Sequence, residues 1–147
     1  MLTCVDVAKY FLAQIDEDIG DLISNLKLQK LVYYAQGFHL AIYDKPLFRE
    51  KIYAWVHGPV VKELYYRYKE FGSGPIAQVK NVNFDIYDKK TKSLLDQVYM
   101  VFGQFSAWKL RNMTHEEPPW MEAAGHQGEI SHSSMKHYFS TQLAEDA

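Results

Sequence analysis

Apolar residues recur every three or four positions over several stretches of this chain, which is the spacing of helices that bury one face. The first predicted helix runs from about Cys4 to Ile15, and Thr3 and Asp6 have the spacing of a capping box at its start. The strongest helical pattern in the chain begins at Ser24 and Asn25, two residue types that cap helices well. Its predicted buried face consists of Leu28, Leu31, Val32, Ala35, Phe38, His39 and Ile42.

The middle of the chain predicts short extended segments and a third helix. Residues 51–56 are rich in aromatic and β-branched side chains, which favours a strand. Gly58-Pro59 places a proline where a helix can begin, so we predict a helix from there to Phe71, closed by Gly72. A second extended segment is predicted where apolar and polar residues alternate, at Val82, Phe84 and Ile86.

Further helices are predicted in the second half of the chain. Asp88 introduces one, residues 107–113 form another, and Pro118 starts a short one. A terminal helix is outlined by Met135, Tyr138, Phe139 and Gln142. The predicted fold is therefore mainly α: one compact domain over residues 1–147, with about five to seven helices and at most one small β-hairpin.

Composition and charge narrow the function classes. Apolar residues make up 48% and charged residues 23%, which is the balance of a chain that folds. The formal net charge of −2 gives no overall positive field, so we expect no tight nucleic-acid binding. The apolar runs are far shorter than the ~18 residues of a membrane span, and the single cysteine, Cys4, cannot form an intrachain disulfide. We expect a cytoplasmic protein without a membrane partner.

One motif invites comparison with a metal centre. His115-Glu116-Glu117 resembles the start of a zinc-protease helix, but position 119, where the second histidine would stand, is a proline. We therefore expect no metal here. Instead, Thr114 is predicted to cap the next turn, His115 to hydrogen-bond a backbone group and Trp120 to bury its ring.

No catalytic group or cofactor site is expected elsewhere. Cys4 is the only thiol, and its surroundings lack the signature of a catalytic cysteine, so it is predicted to pack as a small apolar residue. The acidic run at residues 16–18 predicts a solvated turn between two helices rather than a metal site. We expect a protein that is not an enzyme.

Aromatic residues are the unusual part of the composition, at 15%. Most of the tyrosines fit the predicted apolar faces, where a tyrosine buries its ring and finds one hydrogen bond. Tyr33, Tyr66 and Arg67 fall outside these faces. Because exposed tyrosine and arginine often carry the energy of protein interfaces, we predict that these three residues contact a partner.

Three blocks of sequence resemble a known family. They are residues 26–41 (LKLQKLVYYAQGFHLA), with Pro46-Leu47-Phe48; residues 54–61 (AWVHGPVV); and residues 114–120 (THEEPPW). In order and spacing they are similar to the SocA-like antitoxin domain, also called the Panacea domain and described earlier as phage-associated GepA-type proteins. The resemblance covers almost the whole chain. One departure is Pro118, where the family commonly has glycine.

The resemblance implies a mainly helical antitoxin of a type II toxin–antitoxin pair, which neutralises a cognate protein toxin by direct binding. The alternative is a proteolytic adaptor that delivers a toxin or other client to a ClpXP-type protease, as the SocA member is described. The family is not known for catalysis, and it implies no cofactor. Some members carry an extra DNA-binding or other module, which would let an antitoxin repress its own operon, and we expect no such module here.

The resemblance carries over to individual positions. Among its residues, Lys27 and Lys30 join Tyr33, Tyr66 and Arg67 as candidate partner-binding residues. The remaining family positions are predicted to be structural: Gln29, Tyr34, Gln36, Trp55, His57, Gly58, Pro59, Thr114, His115 and Trp120. For His57 and His115 the local pattern fits a part of a contact surface equally well. For Gly58 and Pro59 the reason is the backbone, and for Trp55 and Trp120 it is packing.

Overall fold

The computed structural model describes residues 1–15, 22–125 and 128–143, and in these ranges the chain is mainly helical with one two-stranded hairpin, as predicted. The elements are α1 (Cys4–Ala13), α2 (Asn25–Tyr43), β1 (Tyr53–Trp55), β2 (Gly58–Val60), α3 (Lys62–Arg67), α4 (Lys89–Phe102), α5 (Ala107–His115), α6 (Pro118–Ala124) and α7 (His132–Ser140). The predicted acidic turn at residues 16–18 lies outside the described residues.

Side-chain caps set the starts of the longer helices. Thr3 Oγ1 accepts from the Asp6 N–H at 3.1 Å while Asp6 accepts from the Thr3 N–H at 2.9 Å, which confirms the capping box of α1. Ser24 caps α2 by accepting from the Lys27 N–H, and Asp88 caps α4 by accepting from Thr91 at 2.8 Å. These contacts confirm the predicted helix starts. The starts could be predicted because each cap and the N–H group that it binds lie within one turn of the chain.

Helix α2 runs through the centre of the fold and packs against α1, α3, α4, α5, α7 and β2. Its predicted apolar face is buried at Leu28, Leu31, Val32 and Ala35, but Ile42, at the end of that face, is 47% exposed. The buried residues of α2 also include lysines and glutamines outside the apolar face, so neighbouring elements enclose the helix on nearly every side. Among the described helices, none has the length and hydrophobicity needed to cross a membrane.

The prediction of a helix beginning at Gly58-Pro59 is wrong. These residues form β2, which pairs antiparallel with β1 in the register Tyr53 with Val60 and Trp55 with Gly58. Gly58 has φ of +109°, a conformation that favours glycine and turns the chain back onto β1. The helix instead begins at Lys62 and ends at Arg67.

The prediction of a second extended segment at Val82, Phe84 and Ile86 is also wrong. Residues Phe84–Ile86 form a single 3₁₀ turn, which Asn83 caps by accepting from the Asp85 N–H at 3.0 Å. Phe84 and Ile86 are both partly exposed, so the alternation does not mark one buried face of a strand. The buried residue of the segment is Tyr87, whose ring packs against Tyr10 with centroids 5.0 Å apart.

Candidate functional site

The three family-like sequence blocks meet where α2, the hairpin and the junction of α5 with α6 come together. At the centre lies Lys30, whose side chain is wholly buried and whose Nζ donates to the Pro59 carbonyl at 3.0 Å. Burial, together with the positive charge of Arg111, lowers the pKa of Lys30 to about 7. Lys30 therefore joins α2 to the hairpin and is inaccessible to a partner, so its predicted place on a partner-binding surface is wrong.

The close approach of Lys30 depends on the missing side chain of Gly58. A Cβ built on Gly58 would lie 2.6 Å from Cε of Lys30 and 2.9 Å from Oγ1 of Thr114. Thr114 is wholly buried within α5, and its hydroxyl donates to the Arg111 carbonyl at 2.8 Å. The prediction that Thr114 caps the next turn is therefore wrong, because its hydroxyl bonds backward into its own helix.

Three other polar side chains of α2 bind backbone groups from segments that are distant in sequence. The contacts are Gln29 Oε1 with the Val61 N–H at 2.9 Å, Gln36 with the Phe48 carbonyl at 2.9 Å and the Leu47 N–H at 2.7 Å, and Lys27 Nζ with the Gly103 carbonyl at 2.6 Å. Each of these hydrogen bonds gives a partner to a buried polar group, and burying that group without a partner would cost free energy. Lys27 is thus buried like Lys30, and its predicted role at a partner surface is likewise wrong.

Glu117, which the sequence suggested only as part of the rejected metal motif, is the centre of a buried cluster of tyrosines. Tyr33 Oη donates to Oε1 of Glu117 at 2.9 Å, and Tyr34 Oη donates to Oε2 at 2.8 Å; Tyr138 adds a third hydrogen bond. Burial nevertheless raises the pKa of Glu117 to about 7. Tyr33 is wholly buried, so the expectation of an exposed contact residue is wrong: it lies between Glu117 and the ring of Phe139.

An apolar groove of about 420 Å³ opens beside this cluster, and Glu117 forms part of its wall. Helices α2, α4 and α7 supply most of the other side chains that line it, among them Phe38, Val98 and Phe102. The ring of Tyr34 stacks on Phe102 with centroids 3.9 Å apart, which closes the groove toward the core.

The two tryptophans of the family-like blocks connect the hairpin to α6. Trp120 is half-buried, and its Nε1 donates to the Trp55 carbonyl at 2.8 Å. The imidazole of His115 stacks on Trp120 with centroids 4.0 Å apart and ring planes 16° apart. Within the described residues, Nε2 of His115 is buried without a hydrogen-bond partner, and burial lowers the pKa of this histidine.

A cationic and aromatic surface lies directly outside this junction, and we call it the hairpin-tip patch: Val56, His57, Trp108 and Arg111. The Arg111 guanidinium lies 4.3 Å from the centroid of the Trp108 ring, and Nε of Arg111 donates to Nδ1 of His57 at 3.1 Å. Trp108 is 55% exposed and Val56 is 64% exposed. The sequence analysis did not single out Trp108 or Arg111, because neither lies in a family-like block. The signal that could have found them was Trp108 itself, a large aromatic residue outside the buried face of α5.

Tyr66 and Arg67 form a second exposed surface on α3. Tyr66 is 62% exposed and meets Tyr65 edge to face, with ring centroids 5.3 Å apart. Arg67 is exposed as well. Of the five candidate partner-binding residues, these two alone lie at the surface of the molecule.

The described residues contain no group of three or more histidine, cysteine, aspartate or glutamate side chains that could hold a metal ion. In the motif that resembles a zinc-protease helix, Glu117 is turned toward Tyr33 and Tyr34, while His115 stacks on Trp120. Cys4 is wholly buried, and burial raises the pKa of its thiol, which disfavours the reactive thiolate.

Comparison with known proteins gives one family. A model described as "Antitoxin SocA-like, Panacea domain" matches residues 28–121, which is more than half of the chain. The matched region extends from α2 into α6 and contains the buried Lys30, the hairpin-tip patch and Glu117. Neither the curated proteins nor the solved structures contain a match to this chain.

Proposed function

Because this chain belongs to the SocA-like antitoxin family, with its Panacea domain, we propose that it is the antitoxin of a type II pair and neutralises a cognate toxin by direct binding. The observation that carries the proposal is the family match over residues 28–121. The family resemblance noted from the three sequence blocks is confirmed by this match.

The side-chain contacts favour binding over chemistry. Most polar residues of the family-like blocks hold backbone groups inside the fold, as Lys30 and Gln29 do. The residues left at the surface, such as Trp108, Arg111 and Tyr66, are the types that carry most of the binding energy in protein interfaces. We therefore propose a toxin-binding protein that is not an enzyme and acts in the cytoplasm.

Affinity purification of the tagged full chain from its own host, followed by expression of the main co-purifying protein, tests the proposal. The partner should arrest growth when expressed alone and should be harmless when expressed together with this chain. A partner that leaves growth unchanged on its own would contradict the antitoxin role.

A proteolytic adaptor is the alternative within the same family. The two mechanisms differ in what happens to the toxin in a strain that lacks the protease. Direct masking predicts a stable complex and full protection in that strain. An adaptor predicts that toxin accumulates and growth stops, because the client is no longer degraded.

Stoichiometry separates binding from catalysis. In a titration of purified toxin activity, we expect inhibition to be complete when the two proteins are equimolar, since each antitoxin occupies one toxin. Complete inhibition by a small fraction of an equivalent would show turnover and contradict the non-enzymatic proposal.

We also propose that this chain does not bind operator DNA tightly. Its formal net charge of −2 gives little general attraction for phosphate. Filter binding with the promoter fragment at low and physiological salt should show only weak, salt-sensitive retention. Tight and sequence-selective retention would contradict this part of the proposal.

A further inference from the structure

The hairpin-tip patch holds a guanidinium group in a fixed position at the protein surface. The Trp108 ring supports one face of Arg111, His57 accepts from its Nε, and Asn112 Oδ1 accepts from one Nη at 3.0 Å. His57, Trp108 and Asn112 are exposed and Arg111 is half-buried among them, so the arrangement faces solvent with the guanidinium partly covered. A cation that is already ordered loses little conformational freedom when it binds a partner.

This guanidinium has no carboxylate partner among the described residues. The ion pairs found there join Lys51 to Glu129 and Lys136 to Asp44. Arginine has five N–H donors, and the two hydrogen bonds to His57 and Asn112 use two of them. Donors are therefore left that can bind a planar acceptor in bidentate geometry.

The positive charge of the patch comes from Arg111 itself. Lys30 and His115 lie close enough for its charge to lower the pKa of both, Lys30 to about 7, so neither adds a full positive charge at neutral pH. Because Arg111 forms no ion pair among the described residues, the surface around it is positive although the chain carries a net charge of −2.

We propose that the hairpin-tip patch binds an aspartate or glutamate side chain of the toxin, with an adjacent apolar side chain packed on Trp108 and Val56. The inference rests on the proposed function, since it names the surface and the chemistry through which the toxin is bound. The Arg111 guanidinium receives the carboxylate, and the exposed rings and methyl groups beside it exclude water from the pair.

A carboxylate fits this surface better than a nucleic-acid backbone. Phosphate backbones are bound by several cations arranged along a groove, and their affinity comes from the number of phosphates neutralised. Here one guanidinium stacks on the exposed ring of Trp108, and the exposed Val56 directly precedes His57, which binds that guanidinium. This is the composition of the centre of a protein interface.

Charge reversal in the full chain tests the inference, with the purified co-purifying toxin as the probe. We expect Arg111→Glu to weaken toxin binding about 100-fold and Arg111→Lys about tenfold, because lysine offers neither the planar fork nor the stacking. Arg49→Glu makes the same charge change on another exposed position and should stay within about twofold of the unmodified chain. Thermal unfolding of each variant separates loss of binding from loss of fold.

A rescue experiment identifies the partner group. A photo-crosslinker at the exposed position 109, next to Trp108, should mark a segment of the toxin that contains an aspartate or glutamate. Replacing that acid by arginine should restore binding to Arg111→Glu by at least about tenfold, as expected for two directly paired charges. Should Arg111→Glu fail to fold, Trp108→Ala takes its place and should weaken binding at least tenfold, about the cost of removing an interface anchor.

Each contrary outcome has its own meaning. Binding of Arg111→Glu and Trp108→Ala that equals the unmodified chain would overturn the inference and leave the proposed function standing. A co-purifying protein that is not toxic would overturn the proposed function, and the inference with it. Binding of labelled single-stranded RNA or duplex DNA that Arg111→Glu abolishes would assign the patch to nucleic acid and overturn the inference.

Discussion

Cε of Lys30 occupies the space that a side chain on Gly58 would need, because a Cβ built there lies only 2.6 Å away. The contact brings the buried amine to the Pro59 carbonyl, which faces it from β2 at 3.0 Å. With a side chain at position 58, either the ends of Lys30 and Thr114 or the hairpin itself would have to move. A glycine in the second family-like block and a lysine in the first form one structural unit.

Gly58→Ala is expected to destabilise the fold by about 2–4 kcal/mol, since it adds backbone strain at φ of +109° to a steric clash. Gly72→Ala is the matched control: Gly72 also has a positive φ, 57°, but nothing lies within 4 Å of the added Cβ. It should cost about 1–3 kcal/mol, the strain alone. Urea unfolding measures both, and equal losses would contradict the role of the clash.

The raised pKa of Glu117 predicts that this residue makes the protein less stable as the pH rises. The carboxyl has a pKa of about 7 in the folded chain and an ordinary value of 4.5, so the folded state holds the proton more strongly. The contribution of Glu117 to the free energy of unfolding is fully present below pH 4.5 and is lost as the pH rises through about 7. For a group this deeply buried, the loss is on the order of 2–3 kcal/mol.

Glu117→Gln should abolish this part of the pH dependence, because glutamine does not titrate. The free energy of unfolding, measured in urea at pH 5 and pH 8, should fall less in the variant than in the unmodified chain. His39 and His115 have lowered pKa values and contribute with the opposite sign, but they are present in both proteins. Glu116→Gln removes an exposed carboxylate next in the chain and should keep the original profile.

Lys30 predicts a dependence of opposite sign at higher pH. Its pKa is about 7 in the folded chain against an ordinary 10.5, so the unfolded chain binds the extra proton and stability rises with pH above 7. Lys30→Met should remove this rise, which is about 1 kcal/mol per pH unit between pH 7.5 and 9. The test compares how steeply the free energy of unfolding changes with pH in Lys30→Met and in the unmodified chain. Equal slopes in the two proteins would contradict the lowered pKa of the Lys30 amine.

The surface on α3 remains a predicted partner contact. Tyr66→Ala combined with Arg67→Ala should weaken toxin binding at least tenfold and change the free energy of unfolding by less than about 0.5 kcal/mol, since both side chains are exposed. Tyr33→Ala, by contrast, should cost about 3–5 kcal/mol because it leaves a cavity and removes a hydrogen bond to Glu117. Calorimetric titration with the toxin and urea unfolding distinguish the two effects, and unchanged affinity in the double variant would place the interface elsewhere.

Local signals were sufficient for much of the architecture. Thr3, Ser24 and Asp88 each announce a helix because a cap and the N–H groups it satisfies lie within one turn of the chain. Gly58-Pro59 shows the limit of such signals, since the pair suits both the start of a helix and a tight hairpin. Pairing with Tyr53–Trp55, a contact between two segments, selects the hairpin.

The positions of the polar residues in α2 required the tertiary structure. Helical periodicity assigns residues to a buried or an exposed face by their polarity, and it places lysine, glutamine and off-face tyrosine outside. In the fold, Lys30, Gln36 and Tyr33 are buried because distant segments bring a carbonyl, an N–H or a carboxylate to each of them. A polar side chain can be buried only where such a partner stands.

The family and the mainly helical fold could be read from the order of residues alone, because motif spacing, caps and apolar periodicity are properties of neighbours along the chain. The surface that remains for a partner could not. His57 and Arg111 are 54 positions apart, and they meet only because the hairpin packs beside α5. Which groups stay exposed and unpaired depends on how the buried ones are satisfied, and that is decided by contacts between distant segments.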